Sequence, residues 1–114
     1  MEIRKLSSSA APATIGPYSQ AIAAGGLVFC SGQLGLDPAT GSLAAGVRAQ
    51  AEQSIRNIAA ILASEKLGLE RVVKATVFLA DMSDFAAVNE VYASFFKESL
   101  PARSAVEVAA LPKG

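Results

Sequence analysis

The chain contains no histidine and no tryptophan, and its one cysteine is Cys30. Without histidine, Ser-His-Asp and Cys-His nucleophile systems are excluded, as is imidazole acid–base chemistry. One thiol and no imidazole also exclude zinc, His-ligated haem and cysteine-cluster sites. A lone cysteine forms no intrachain disulfide, which points to a reducing, cytoplasmic setting. Neither sign of charge is in excess: 10 Lys plus Arg balance 10 Asp plus Glu. A dedicated nucleic-acid binder usually carries a basic surplus, so nucleic acid is an unfavoured partner. No apolar run approaches the ~20 residues of a membrane-spanning helix. Met1 to Ala13 mixes Glu2, Arg4 and Lys5 with Ser7-Ser8-Ser9, unlike the apolar stretch of a signal peptide.

What is present is a 114-residue chain, 52% hydrophobic. That length and composition read as a single domain over residues 1–114 with a packed core. Ala accounts for 23 of the 114 residues, which raises hydrophobicity without adding much core volume.

Residues 1–16 read as irregular. Tyr18 to Ala24 is a candidate strand, Gly25-Gly26 a two-residue hairpin turn, and Leu27 to Ser31 a second strand halted at Gly32. Asp37-Pro38-Ala39-Thr40-Gly41 is a turn, because Pro presets φ and Gly supplies a positive one. Ser42 to Ala45 is a candidate short strand. Val47 to Leu67 reads as a long helix with Val47, Ala51, Ile55, Ile58 and Leu62 in one stripe and Gly68 at its stop. Val72 to Ala80 is rich in β-branched residues. Its face Val73, Ala75, Val77 and Leu79 is apolar and should pack on helices. The face Val72, Lys74, Thr76 and Phe78 is mixed and meets solvent or another subunit. Asp81 or Ser83 caps a second helix with the stripe Phe85, Val88, Tyr92, Phe95 and Phe96, Val91 lying beside it. Arg103 to Ala109 is the last strand, and Leu111 to Gly114 a turn. The order β-β-(β)-α-β-α-β predicts an α+β two-layer sandwich, one mixed sheet with two helices on one face. A bare sheet face on so small a domain suggests burial in an oligomer.

Three segments carry candidate chemistry. Gly16-Pro17-Tyr18-Ser19-Gln20 can hold the Tyr18 phenol at a loop edge, or simply place an amphipathic aromatic at an interface. Cys30-Ser31-Gly32-Gln33 ends a strand where a hydroxyl and bare backbone N–H groups can face a ligand, or where a bulge ends the ladder. Cys30 has no nearby cation and reads as a packed small hydrophobe. Arg103 opens an apolar strand, where its rigid fork suits a carboxylate; a structural salt bridge, for instance with Glu107, is the alternative.

Taken in order, Gly-Pro-Tyr-Ser-Gln-Ala at 16–21, Ser31-Gly32-Gln33, Asn57-Ile58, Val72 to Leu79, Phe85 to Tyr92 and Pro101-Ala-Arg-Ser-Ala-Val-Glu-Val through Leu111-Pro-Lys-Gly114 closely resemble the RidA/YjgF family of enamine/imine deaminases. The resemblance runs from about Ile15 to Gly114. It implies a chorismate-mutase-like subunit in a homotrimer with clefts between subunits. It also implies hydrolysis of 2-aminoacrylate, 2-iminopropanoate or 2-iminobutanoate to 2-oxo acids and ammonia, with no cofactor of the protein's own. By resemblance, Arg103 grips the substrate carboxylate, Tyr18 lines the cleft, and Ser31 with Gly32 forms the strand-end pair. Asn89 lies near the site, and Ala105 offers only backbone groups where many members carry Cys or Thr. An imine next to a carboxylate is already electrophilic, so the site must fix the carboxylate, orient the nitrogen and deliver water.

The resembled family continues past Leu-Pro-Lys-Gly into a strand carrying a glutamate that holds the water. The sequence stops at Gly114, so that strand is expected to be absent, leaving a sheet edge and apolar surface exposed. Glu107 is no obvious substitute: it shares a strand face with Arg103 but lies ~13 Å along it. Other readings are a non-catalytic trimer binding small carboxylates, a single-stranded RNA endonuclease and a chaperone-like interaction protein.

Overall fold

Gly25 and Gly26 adopt φ of 60° and 80°. Two successive positive values give the mirror-image turn whose twist matches paired strands. The computed structural model describes residues 1–114. Around this turn β2 (Ala21–Ala24) pairs antiparallel with β3 (Leu27–Cys30). A further strand, β1 (Ile3–Leu6), pairs with β2. Sequence pattern alone marks this segment as irregular. Its four residues carry little strand pattern, and pairing with a partner some eighteen residues away supplies the ladder that local propensity does not. The proposed strand at Ser42 to Ala45 reduces to one isolated bridge between Leu36 and Leu43. The Asp37–Gly41 turn forms as expected, with Gly41 at φ 74° and its N–H donating to the Asp37 carbonyl at 2.7 Å.

Helix α1 spans Val47–Ala63. It stops before Gly68, at a Schellman motif: Lys66 takes the left-handed conformation (φ 58°), its N–H donates to the Ala63 carbonyl, and the Leu67 N–H donates to that of Leu62. Gly68 is not in the left-handed region, with φ −108°. Strand β4 (Lys74–Leu79) follows, then α2 (Phe85–Phe95) and β5 (Ala102–Glu107). Asp81 caps the single 3-10 turn ahead of α2, accepting the Ser83 N–H at 2.8 Å. That bond holds the Asp81 carboxyl below its usual pKa.

The α+β class with two helices and both parallel and antiparallel pairs holds. The ladders fall into two groups, the antiparallel β1-β2-β3 and the parallel β4-β5. One face of the first is covered by α1: Leu6, Ala11, Ala21 and Ile61 form a buried cluster, with Ala23, Val28 and Ala60 packed on it. In the second, Ala75, Val77 and Leu79 are sheltered while Lys74, Thr76 and Phe78 are exposed, as their alternation predicted. Val73, placed on the packed face by that alternation, lies outside the strand and is 73% exposed. Arg48 pairs with Glu90 and Arg56 stacks on Phe95, so charged side chains of α1 tie it to α2.

The face of each ladder turned from the helices is uncovered and mixed, with large apolar side chains beside Lys5 on one ladder and beside Lys74, Thr76 and Ser104 on the other. Ile3 and Leu27 share it through Ala24, and Phe29 lies there beside Ile22; Phe78 and Val106 are register partners on the other ladder. Ile3, Leu27, Phe29, Phe78 and Val106 are all exposed.

Candidate active site

The parallel register sets Ala75 beside Arg103, Val77 beside Ala105 and Leu79 beside Glu107. Arg103, Ala105 and Glu107 therefore share the helix-facing side of β5. Arg103 Nη1 donates to Asn89 Oδ1 of α2 at 2.7 Å. Its guanidinium carbon lies 4.8 Å from the Tyr92 ring centre and 5.5 Å from that of Phe85. Asn89, Tyr92 and Phe85 come to one place because spacings of 4 and 3 residues stack along a helix face. Arg103 is half-buried and forms no ion pair with any carboxylate of the chain. Of its five N–H donors, the Asn89 bond engages one.

The salt bridge considered between Arg103 and Glu107 does not form. Glu107 Oε1 instead accepts the Met82 N–H at 2.7 Å, capping the turn before α2. Four residues of extended strand separate the two side chains by more than such a bridge spans. Glu107→Ala is therefore expected to lower stability by about 1 kcal/mol and leave Arg103-dependent ligand binding unchanged. Thermal unfolding and 2-oxobutanoate titration check this, and a loss of binding at unchanged stability contradicts it.

The other candidates lie in a second cluster. Tyr18 is 47% exposed, and its hydroxyl accepts the Ile15 N–H at 3.4 Å. With Gly32, Gln33 and residues 12–15 it lines a small depression of ≈ 40 Å³. Ser31 is spent internally: its hydroxyl donates to the Ser19 carbonyl at 2.6 Å and its N–H to the Gln20 carbonyl at 2.9 Å. It fixes the strand end rather than offering a free hydroxyl. A methyl group on Gly32 would meet no atom of the subunit within 4 Å. Cys30, expected to be packed, is exposed at the end of β3. Neighbouring protein still desolvates its thiol enough to raise its pKa, so it is not activated. No hydrogen bond joins the Tyr18–Gly32 cluster to Arg103 within the chain, and the depression beside Tyr18 does not include Arg103.

Three supports of the second cluster, all on α1, escape the apolar helical pattern. Asn57 is fully buried on α1, its amide donating to the Leu34 and Leu36 carbonyls at 3.1 and 2.9 Å. Gln50 and Ser54 hold the Ala44 and Gln33 carbonyls from the same face. Gly35 is needed there, because a Cβ would lie 2.5 Å from the Gln50 backbone. The signal in the sequence is a polar stripe at spacings of 4 and 3, less conspicuous than the apolar one beside it. Gln20 likewise pins the N-terminal segment, accepting from the Ser8 N–H and donating to the Ser8 and Pro12 carbonyls. Near Arg103, Tyr92 and Phe85 read in the sequence only as members of the α2 stripe.

No three His, Cys, Asp or Glu side chains converge anywhere in the chain, and no helix is long and apolar enough to cross a membrane. The arrangement defines a class: small α+β proteins that offer an arginine fork from a strand of a parallel pair, steadied by an asparagine on the facing helix. More particularly, the chain belongs to the family described as Endoribonuclease L-PSP, the RidA/YjgF family, whose model matches residues 8–114. It is 53% identical over 112 residues to a Capra hircus 2-iminobutanoate/2-iminopropanoate deaminase, covering 97% of this chain and 82% of that protein. A Bos taurus protein of the same name is 53% identical over 114 residues, covering 98% and 83%. The crystal structure of RidA from the Antarctic bacterium Psychrobacter sp. PAMC 21119 is 50% identical, superposes with a TM-score of 0.95, and covers 97% of this chain and 90% of that one.

Proposed function

We infer that the protein hydrolyses 2-iminobutanoate, 2-iminopropanoate and the tautomeric 2-aminoacrylate to 2-oxo acids and ammonia. The observation that carries this is Arg103: a half-buried cation with no internal carboxylate, braced by Asn89, with N–H donors to spare. That is a receptor for a planar carboxylate. The relatives named above carry the same activity in their names.

Arg103 fixes the carboxylate and sets the adjacent C=N carbon in reach of water. Water adds to that carbon, forming a carbinolamine. The nitrogen takes a proton, the C–N bond breaks, and ammonia leaves as the hydroxyl proton departs and C=O forms. An enamine enters after a proton moves to its terminal carbon. Ala105 supplies only backbone groups, and Tyr18 with Gly32 forms the other wall.

These two clusters are apart in one subunit. They meet in the proposed homotrimer, where a cleft between subunits sets the Tyr18–Gly32 cluster of one against Arg103 of the next. The exposed apolar side chains of Ile3, Leu27, Phe29, Phe78 and Val106 support such an assembly. The cytoplasm suits both a free thiol and substrates released there as short-lived intermediates. The RNase in the family's description finds no support in a net charge of zero.

The test is ammonia release from 2-iminobutanoate generated in situ by a threonine dehydratase. Acceleration above the uncatalysed hydrolysis, proportional to protein, is expected. Binding of 2-oxobutanoate without turnover would replace the enzyme by a carboxylate-binding trimer.

A further inference from the structure

Tyr92 stands out among the residues around Arg103. Its ring stacks on Phe96, with centroids 4.4 Å apart and planes at 29°. Phe96 is buried, so the ring is held from behind. Its other neighbour is the Arg103 guanidinium, 4.8 Å from the ring centre. The Tyr92 hydroxyl is buried and has no hydrogen-bond partner. Burial pushes its pKa up, against the opposing pull of the Arg103 charge. The hydroxyl therefore does nothing to hold the residue, and the ring does everything.

A guanidinium pinned at one corner by Asn89 can still swing about that corner. An aromatic face against the cation removes that freedom while leaving the outward N–H groups unspent, which a carboxylate partner would not do. We propose that Tyr92 is a positioning residue: backed by Phe96, its ring face sets the guanidinium of Arg103 to receive the substrate carboxylate, and its hydroxyl takes no part. The inference rests on the carboxylate-gripping role proposed for Arg103.

The substrate carboxylate does not react, so Arg103 binds it alike in ground and transition states. Loosening the arginine then raises KM and spares kcat. Tyr92→Phe keeps the ring and drops the idle hydroxyl; its KM should stay within 2-fold of wild type. Tyr92→Leu removes the face; its KM should rise about 10-fold with kcat within 3-fold. A role confined to packing would lower the melting temperature of Tyr92→Leu and leave KM alone. If Tyr92→Leu does not fold, Tyr92→Met keeps the bulk without a π face and carries the same expectation.

Guanidinium nitrogen NMR on the full chain supplies a readout independent of turnover. Separate Nη signals for Arg103 are expected in wild type and Tyr92→Phe, merging in Tyr92→Leu as rotation is freed. Unchanged splitting in Tyr92→Leu overturns the proposal, as does a KM rise of equal size in Tyr92→Phe. If wild type shows no deaminase activity while the signals merge as expected, the positioning stands and the deaminase reading falls.

Discussion

Arg103→Ala should lower kcat/KM for imine hydrolysis by about 30- to 700-fold without unfolding the protein. Removing one partner of a buried, hydrogen-bonded charge pair costs about 2–5 kcal/mol, and the half-buried setting of Arg103 places it at about 2–4. At 1.4 kcal/mol per tenfold, that is the range given. Stability should hardly change, because Arg103 has no internal ion pair to break and donates only to Asn89. Removal of a half-buried, uncompensated cation offsets much of that one lost bond. Arg103→Lys keeps the charge but loses the planar fork and its contact with two rings, so a loss near tenfold is expected. Coupled dehydratase kinetics beside thermal unfolding measure both effects. Activity of Arg103→Ala within 3-fold of wild type would remove Arg103 from the mechanism.

The largest loss of stability is expected at Asn57, on α1. Its side chain is fully buried and makes three hydrogen bonds, one from Gln53 and two to the Leu34 and Leu36 carbonyls. Asn57→Ala leaves those carbonyls with their partner gone and a gap beside them. Each unpaired buried group costs about 1–3 kcal/mol, so a total of about 3–5 kcal/mol is expected. For a domain of this size the melting temperature should fall by about 12–20 °C. Asn57→Asp should be no better, since it faces two acceptors with an acceptor. Gln53→Ala, which removes only the bond to Asn57 Oδ1, should cost under about 1 kcal/mol. A fall of under ~3 °C for Asn57→Ala would show that the 34–36 segment does not depend on α1.

The two residues illustrate different kinds of support. Arg103 carries a half-buried cation that the fold leaves without a carboxylate partner. Asn57 is wholly internal, yet it shapes the site, because the segment it holds follows directly from Ser31, Gly32 and Gln33. Ser54 ties Gln33 to the same helix. Weakening Asn57 should therefore loosen the Tyr18–Gly32 wall as well as the core.

Much is legible in local sequence because the cause is local. Gly25-Gly26 makes a hairpin, Asp37 to Gly41 makes a turn, and the apolar alternation of Ala75, Val77 and Leu79 picks out the sheltered face of β4. The stripe of α2 is equally plain, with Val88 and Phe96 buried as its spacing requires. The reactive inventory, free of histidine and with one thiol, narrows the chemistry by composition alone, and Arg103 stands out in its strand as a cation suited to a carboxylate ligand or to an internal salt bridge.

Tertiary structure decides whatever depends on a distant partner. Ile3 to Leu6 becomes a strand only by pairing with β2. Lys66 takes the left-handed position expected of Gly68, because the Leu62 and Ala63 carbonyls, not composition, set where α1 ends. Glu107 goes to a backbone N–H rather than to Arg103, and Ser31 turns its hydroxyl inward. Asn89, Tyr92 and Phe85 gather around one guanidinium because β5 lies beneath α2. Residue type and spacing determine propensity, periodicity and the chemistry on offer, all properties of neighbours along the chain. Which donor meets which acceptor across 14 or 25 residues is a matter of packing, and only the folded chain holds that information.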